Sequence, residues 1–211
     1  MKRYLTLITL LSCTLFGTVS ARILPDSVYT RQETLLSRIY FPTEIGLCAT
    51  PGSDINTNVF WRTSLEYRMH AIGGWFFTIE YNDHKHTYHN RHFEGSNASE
   101  GNNDQFDILG GGGFRLPLSQ HWRVAGLVQG GLTRNHLTYV STADDGTYQL
   151  KDVTSCVPSA KATAFIEYYI VDDVALYVDA GYTHHLKPLV TERYHRAGII
   201  SLSFGITWCL Y

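Results

Sequence analysis

Residues 200–208 read ISLSFGITW, so that large apolar side chains alternate with small or polar ones. The same period of two runs through residues 58–69, 74–84 and 121–140. A period of two is typical of a β-strand that has one apolar face and one polar face. The sequence therefore predicts a protein built from amphipathic strands.

Eight strand candidates follow one another along the chain. They cover residues 42–49, 58–69, 74–84, 103–116, 121–140, 159–169, 175–185 and 196–210. Short turns follow the second, fourth and sixth strands, and longer polar loops follow the first, third, fifth and seventh, at 50–57, 85–102, 141–158 and 186–195. Segregation of short turns from long loops is typical of an outer-membrane barrel. We predict an all-β, eight-stranded, antiparallel up-and-down transmembrane β-barrel.

The apolar faces carry aromatic side chains near the short-turn ends of the strands, as in the belts found at membrane interfaces: Trp75, Trp122, Tyr168 and Trp208. Outer-membrane lipid is the predicted partner of these faces. The alternative is a soluble exported β-protein, in which the apolar faces pack together and the polar faces meet water.

The composition excludes several other classes. The 211-residue chain has a formal net charge of −2, so no basic field points to a nucleic-acid partner. After residue 21, no apolar run approaches the roughly 18–20 residues of a membrane helix. The glycine run at 110–113 lies in a predicted strand and lacks the context of a phosphate-binding loop.

The N-terminus has the features of a secretory signal. Lys2 and Arg3 precede a mostly apolar stretch, and Val19-Ser20-Ala21 presents the small residues of a cleavage site. Residues 10–13, which end in Cys13, offer an alternative lipoprotein cleavage site.

Three segments follow from these features. Residues 1–21 form the predicted signal peptide, 22–41 form an N-terminal segment of unclear structure, and 42–211 form the barrel. Export and the barrel pattern together predict location in the bacterial outer membrane.

The polar faces of the strands carry charges of both signs, which a barrel would place in its lumen. They are Arg62, Arg68, Arg115, Arg123, Lys161, Glu66, Glu80, Asp107, Glu167 and Asp179. Opposite charges away from water should pair, so we predict a lumen plugged by a charge network. In a soluble sandwich the same residues would be solvated surface charges.

On strand number, loop asymmetry and the closing segment 200–208, residues 40–211 resemble the small outer-membrane barrels of the OmpA and OmpX type. Such proteins usually end in an aromatic residue in phase with the outward face. Here Tyr211 is terminal, whereas the outward phase runs through Trp208 and Leu210. The resemblance implies a fold class and leaves the function open.

A histidine-rich stretch lies in the predicted third connection. His84, His86, His89 and His92 are spaced HxHxxHxxH, and a flexible loop could wrap them around one zinc, copper or nickel ion. The alternative is a solvated polar loop. No other cofactor is expected.

An enzyme of the lipid A deacylase type is a second function to weigh. That type resembles this chain in barrel size and carries a His-x-Ser-Asn stretch followed by a Glu. Here the comparable stretch is His184-His185-Leu186-Lys187, followed by Glu192, and it contains neither the serine nor the asparagine. A nucleophilic mechanism needs the serine hydroxyl. A narrow pore for small solutes is a third candidate function. We therefore favour a monomeric, non-enzymatic barrel whose long loops bind an extracellular ligand or protect the surface.

Cysteine positions suggest one disulfide. Cys48 and Cys156 both fall near the predicted long-loop rim, whereas Cys209 lies at the opposite end, about 25 Å away across the apolar band. A disulfide requires Cα atoms within about 7 Å. The two rim cysteines lie on strands that are not neighbours, so only a bending loop could join them. A Cys48–Cys156 bond and three free thiols are therefore both open, and Cys209 is expected to be reduced in either case.

Overall fold

The computed structural model describes residues 38–49, 55–70, 73–89, 100–142, 146–187 and 198–210. The predicted signal peptide at 1–21, the alternative cleavage at Cys13 and residues 22–37 of the N-terminal segment lie outside this part of the chain.

Eight strands make up nearly all of the described chain. They are β1 (Ile39–Ala49), β2 (Ile55–Arg68), β3 (Gly74–His89), β4 (Glu100–Pro117), β5 (Trp122–Thr142), β6 (Tyr148–Val171), β7 (Val174–His185) and β8 (Gly198–Cys209). Each strand pairs antiparallel with its neighbour in sequence, and β8 closes the sheet on β1. The predicted fold class is confirmed: the protein is a closed, eight-stranded, up-and-down barrel.

Several strands are longer than the sequence predicts, β3 and β6 most of all. β1 begins at Ile39, β3 continues to His89, and β6 begins at Tyr148. The predicted loop over 141–158 is therefore wrong, because β5 and β6 stay paired up to Thr142 and Tyr148. Cross-strand pairing holds this polar stretch as strand even though it has no apolar alternation.

The connections at the other end are short, and hydrogen bonds tighten them. The backbone N–H groups of Leu118 and Ser119 donate to the Trp122 carbonyl oxygen at 2.9 and 3.1 Å. Between β2 and β3, the Met69 N–H donates to the Trp75 carbonyl at 3.0 Å. Gly74 lies beside this turn with φ of 103°, a conformation that favours glycine.

The outer face of the barrel is apolar, and the inner face is polar. Val128 is 67% exposed and Leu202 is 59% exposed, whereas their neighbours Gln129 and Ser203 are buried. Aromatic side chains lie near the short-turn ends, where Trp122 and its cross-strand partner Tyr168 pack with ring centroids 5.0 Å apart. This inside-out distribution is the one that a lipid environment requires.

No helix among the described residues has the length and apolar character needed to cross a membrane.

Close pairing of aromatic residues with glycines lets large rings lie flat inside the barrel. Phe60 faces Gly46, Phe76 faces Gly113, and Tyr177 faces Gly205 across neighbouring strands. A Cβ atom at Gly205 would lie 2.6 Å from the Tyr177 ring, and Cβ atoms at the other two glycines would also clash with the facing rings. Gly113, the last residue of the glycine run at 110–113, thus leaves room for the Phe76 ring to lie against the neighbouring strand.

The apolar outer band supplies a test of the face assignment. Because the expected environment of Val128 is lipid, Val128→Arg should lower the free energy of unfolding by about 2–4 kcal/mol. His136→Arg is the control, since His136 lies on the same outward face of β5 but nearer the loops, where the cost should be below about 1 kcal/mol. Urea unfolding in lipid vesicles measures both, and equal costs would contradict the assignment.

Candidate functional site in the barrel lumen

All ten charged residues that the sequence assigns to the lumen lie on the inward face and are buried. The structure adds Glu44 on β1, which is 6% exposed. Together with nearby polar groups these residues form three layers. The turn-side layer contains Glu66, Arg68, Arg115, Arg123 and Glu167. The middle layer contains Glu44, Arg62, Glu80, Lys161 and Asp179. The loop-side layer contains His84 and Asp107.

Arginine–glutamate pairs organise the turn-side layer. Arg115 binds Glu167 in a two-pronged contact, with Nε 2.6 Å from Oε2 and Nη2 2.9 Å from Oε1. The same Nη2 reaches Glu66 Oε1 at 3.1 Å. Arg68 Nε donates to Glu66 Oε1 at 2.5 Å. Each of the two glutamates is thus held within a shared network of guanidinium groups.

Aromatic rings complement the excess of cations in this layer. The guanidinium carbon of Arg68 lies 3.4 Å from the centroid of the Tyr40 ring, and that of Arg123 lies 3.5 Å from the Tyr169 ring. Ring faces carry partial negative charge, which stabilises a stacked guanidinium. The tyrosines therefore supply part of the compensation that two glutamates alone cannot give to three arginines.

The middle layer is centred on Arg62. Its Nη2 donates to both carboxylate oxygens of Asp179, at 3.0 and 2.8 Å, and its Nε contacts Glu44. The Ser203 hydroxyl lies 2.7 Å from Glu44 Oε2 and 2.5 Å from Asp179 Oδ2. Lys161 Nζ pairs with Glu80 Oε1 at 2.5 Å. These contacts link strands on opposite sides of the barrel.

A small cavity lies between the turn-side and middle layers. Its volume is about 40 Å³, and Arg62, Glu66, Glu80 and Tyr177 are among the residues that line it. A space of this size holds about one to three water molecules.

The loop-side layer contains a cysteine, a histidine and an aspartate in line. Cys48 Sγ lies 3.4 Å from His84 Nδ1, and His84 Nε2 lies 2.8 Å from Asp107 Oδ2. Gln105 Nε2 donates to the other carboxylate oxygen at 3.2 Å. All three residues of the line are buried.

Across the same layer, Ser159 is placed beside His185. The Ser159 hydroxyl lies 2.8 Å from His185 Nδ1 and 2.7 Å from the Thr133 hydroxyl. His184, the other histidine of the deacylase-like stretch, is half-buried and stacks on Tyr182. Sequence reasoning missed Ser159 because it lies 26 residues from His185 and meets it only through strand pairing.

The predicted histidine loop is organised differently from the sequence hypothesis. His84, His86 and His89 belong to β3 instead of a flexible loop, and His92 lies outside the described residues. His84 Nδ1 already faces Cys48, and His84 Nε2 faces Asp107 and the side-chain amide nitrogen of Asn82. Within the described chain, no three His, Cys, Asp or Glu side chains are grouped to hold a metal ion.

The Cys48–Cys156 disulfide is wrong, because neither cysteine is joined in a disulfide. Cys48 points into the lumen from β1, whereas Cys156 is exposed and belongs to β6, which pairs only with β5 and β7 among the strands. Side chains on opposite faces of non-adjacent strands cannot meet. Cys209, predicted to be reduced, is buried and forms no disulfide.

Comparison with solved structures identifies the fold. Neisserial surface protein A superposes with a TM-score of 0.60 at 12% sequence identity, covering 82% of this chain and 97% of that one. The fold is that of the small outer-membrane β-barrels. Two further barrels of this class match at lower TM-scores.

Ail of Yersinia pestis, in complex with the heparin analogue sucrose octasulfate, covers 82% of this chain and 96% of its own at 11% identity and a TM-score of 0.45. The N-terminal barrel domain of Pseudomonas aeruginosa OprF covers 82% and 98% at 13% identity and a TM-score of 0.41. The sequence matches no protein-family model, and the search of curated proteins finds no match.

Removal of one carboxylate tests the energetic role of the turn-side layer. Glu167→Gln leaves Arg115 without its two-pronged partner in a buried site, and the loss of one partner of a buried pair costs about 3–5 kcal/mol. Asp104→Asn on the exposed outer side of β4 is the control and should have little effect. Equilibrium unfolding in urea measures both; similar stabilities would contradict a structural role for the network.

Proposed function

We propose that this protein is a monomeric, non-enzymatic barrel of the bacterial outer membrane, exported by its N-terminal signal, that displays its long-loop end for binding at the cell surface. The filling of the lumen by the turn-side and middle layers carries the proposal. Outer-membrane lipid covers the apolar outer band in this arrangement, and the paired interior makes the wall a rigid support.

The filled interior argues against the alternative of a narrow pore. An eight-stranded barrel is only wide enough for side chains to fill its interior. Here arginines, glutamates and tyrosines occupy that space, and the cavity between the two layers has a volume of only about 40 Å³. Passage of a solute would require several buried ion pairs to separate at once, which is costly.

The β5–β6 hairpin is the best candidate for a recognition element. β4 pairs with β5 as far as Leu137, but β5 and β6 continue together to Thr142 and Tyr148. Tyr148 is 66% exposed and Leu150 is 71% exposed. Large apolar side chains presented on a paired, ordered ribbon bind partners at low entropic cost.

Ion conduction tests the closed lumen. The wild-type protein, folded into a planar lipid bilayer, should give no stepwise current. The double variant Glu80→Ala/Lys161→Ala should also give none, because it removes both members of one pair and leaves the turn-side layer intact. Stable open-channel currents from folded wild-type protein would contradict the proposal and favour the pore.

Trimming of the hairpin tests the binding role. A variant in which residues 138–152 are replaced by a short turn keeps the barrel wall and should migrate on gels as a folded, heat-modifiable barrel. On an array of extracellular glycans and matrix proteins, we expect the wild type to retain at least one ligand and the trimmed variant to retain none. A wild type that binds no more than the trimmed barrel would contradict the role assigned to the hairpin.

A further inference from the structure

Cys48, His84 and Asp107 form a linear arrangement that barrel display does not require. They come from β1, β3 and β4, so only the closed sheet brings them together. The sulfur faces one ring nitrogen at 3.4 Å, and the carboxylate faces the other at 2.8 Å. Because the two nitrogens face different groups, the arrangement suits proton transfer through the ring and not the binding of one metal ion by all three side chains.

The carboxylate fixes the proton positions on the ring. An ionised carboxylate can only accept, so the contact between Asp107 and His84 Nε2 places the ring proton on that nitrogen, against which the side-chain amide of Asn82 also packs at 2.5 Å. Nδ1 then presents its lone pair to the Cys48 thiol. The amides of Gln105 and Asn82 donate to Asp107 at 3.2 and 3.3 Å and hold the carboxylate in place. A nucleophile, a base and an orienting acid are the three parts of an activated thiol site.

The surroundings of the sulfur favour an uncharged ligand. Phe60 and Ile199 pack with Cys48 in a buried apolar cluster, and the Phe60 ring lies 5.6 Å from the His84 ring. Cys48 is the last residue but one of β1, at the loop end of the lumen. A small neutral molecule that enters from the loop side would meet this cluster before it met the charged layers.

We propose that Cys48 is a self-acylation site for small activated acyl esters, with His84 as its base and Asp107 as a positioning residue. His84 Nδ1 takes the thiol proton while Sγ attacks the acyl carbonyl carbon. The S–C bond forms, the ester C–O bond breaks, and the leaving alkoxide takes the proton back from His84. The product is a thioester on Cys48 and a free alcohol, and no oxidant or reductant is consumed.

Cys209 provides an internal comparison in the same chain. It is also buried on the inward face, at 5% exposure against 4% for Cys48, but it lies at the turn end of β8. Its thiol donates to the Leu210 carbonyl oxygen at 3.4 Å. A carbonyl can accept a hydrogen bond but does not act as a base toward the thiol at neutral pH.

The test measures the acylation rate of each cysteine in the detergent-folded full chain. The probe is p-nitrophenyl acetate, and peptide mass spectrometry reports Cys48 and Cys209 separately. A positioned base contributes about 100-fold or more to such a step, so Cys48 should react about 100-fold faster than Cys209 in the folded protein. In urea the two rates should become similar. If Cys48 of the folded wild-type protein reacts no faster than Cys209, the proposal is overturned by this measurement alone.

Variants separate activation from simple access to the thiol. His84→Gln should slow Cys48 acylation about 100-fold, whereas His185→Gln, which removes a buried histidine that contacts Ser159 at the same end of the lumen, should change the rate far less. Asp107→Asn should slow acylation and also shift the pH profile of the Cys48 acylation rate, because the carboxylate no longer faces the His84 base; a purely structural role would leave the shape of that profile unchanged. Heat-modifiable migration selects the folded fraction. A full rate in folded His84→Gln overturns the proposal.

Discussion

Closure of the sheet by β1 and β8 is the constraint on which the rest of this structure depends. Closure pairs both edges of each strand within the barrel wall and at the same time encloses one face of all eight strands. Charged side chains on that face are removed from bulk water and must find partners inside. The turn-side and middle layers have net charges of opposite sign. Three arginines meet two glutamates in the turn-side layer, and two cations meet three carboxylates in the middle layer. The small excess of one layer offsets that of the other.

Volume is the second consequence of closure. The lumen of an eight-stranded barrel offers little more room than its own side chains occupy. Phe60, Phe76 and Tyr177 fit because each lies over a glycine of the neighbouring strand. Arg115 in turn stacks 4.5 Å above the Phe76 ring. Charge pairing and ring packing therefore occupy the same space, which explains why the interior is filled and why function is expected at the loop end.

Much of the interior could be predicted from alternation alone. Once a strand is recognised, every second residue shares a face, and this placed Arg62, Glu66 and Arg68 in the lumen together. Glu44 was missed because β1 has a proline two residues earlier and only weak alternation around it. The extension of β6 to Tyr148 was missed for a related reason. Its polar residues are held by pairing with β5, and no periodic apolar pattern marks them as strand.

The sequence by itself determined that this chain makes amphipathic strands, which face of each strand is polar, and that the charges on that face are of both signs. These are local properties, because the side-chain period of a strand is fixed by its backbone geometry. Only the tertiary structure decided which charges meet. Arg62 binds Asp179, 117 residues away, and Cys48 meets His84 across an intervening strand. Such contacts depend on the register and curvature of the closed sheet, to which every strand contributes, and no local stretch of sequence specifies them.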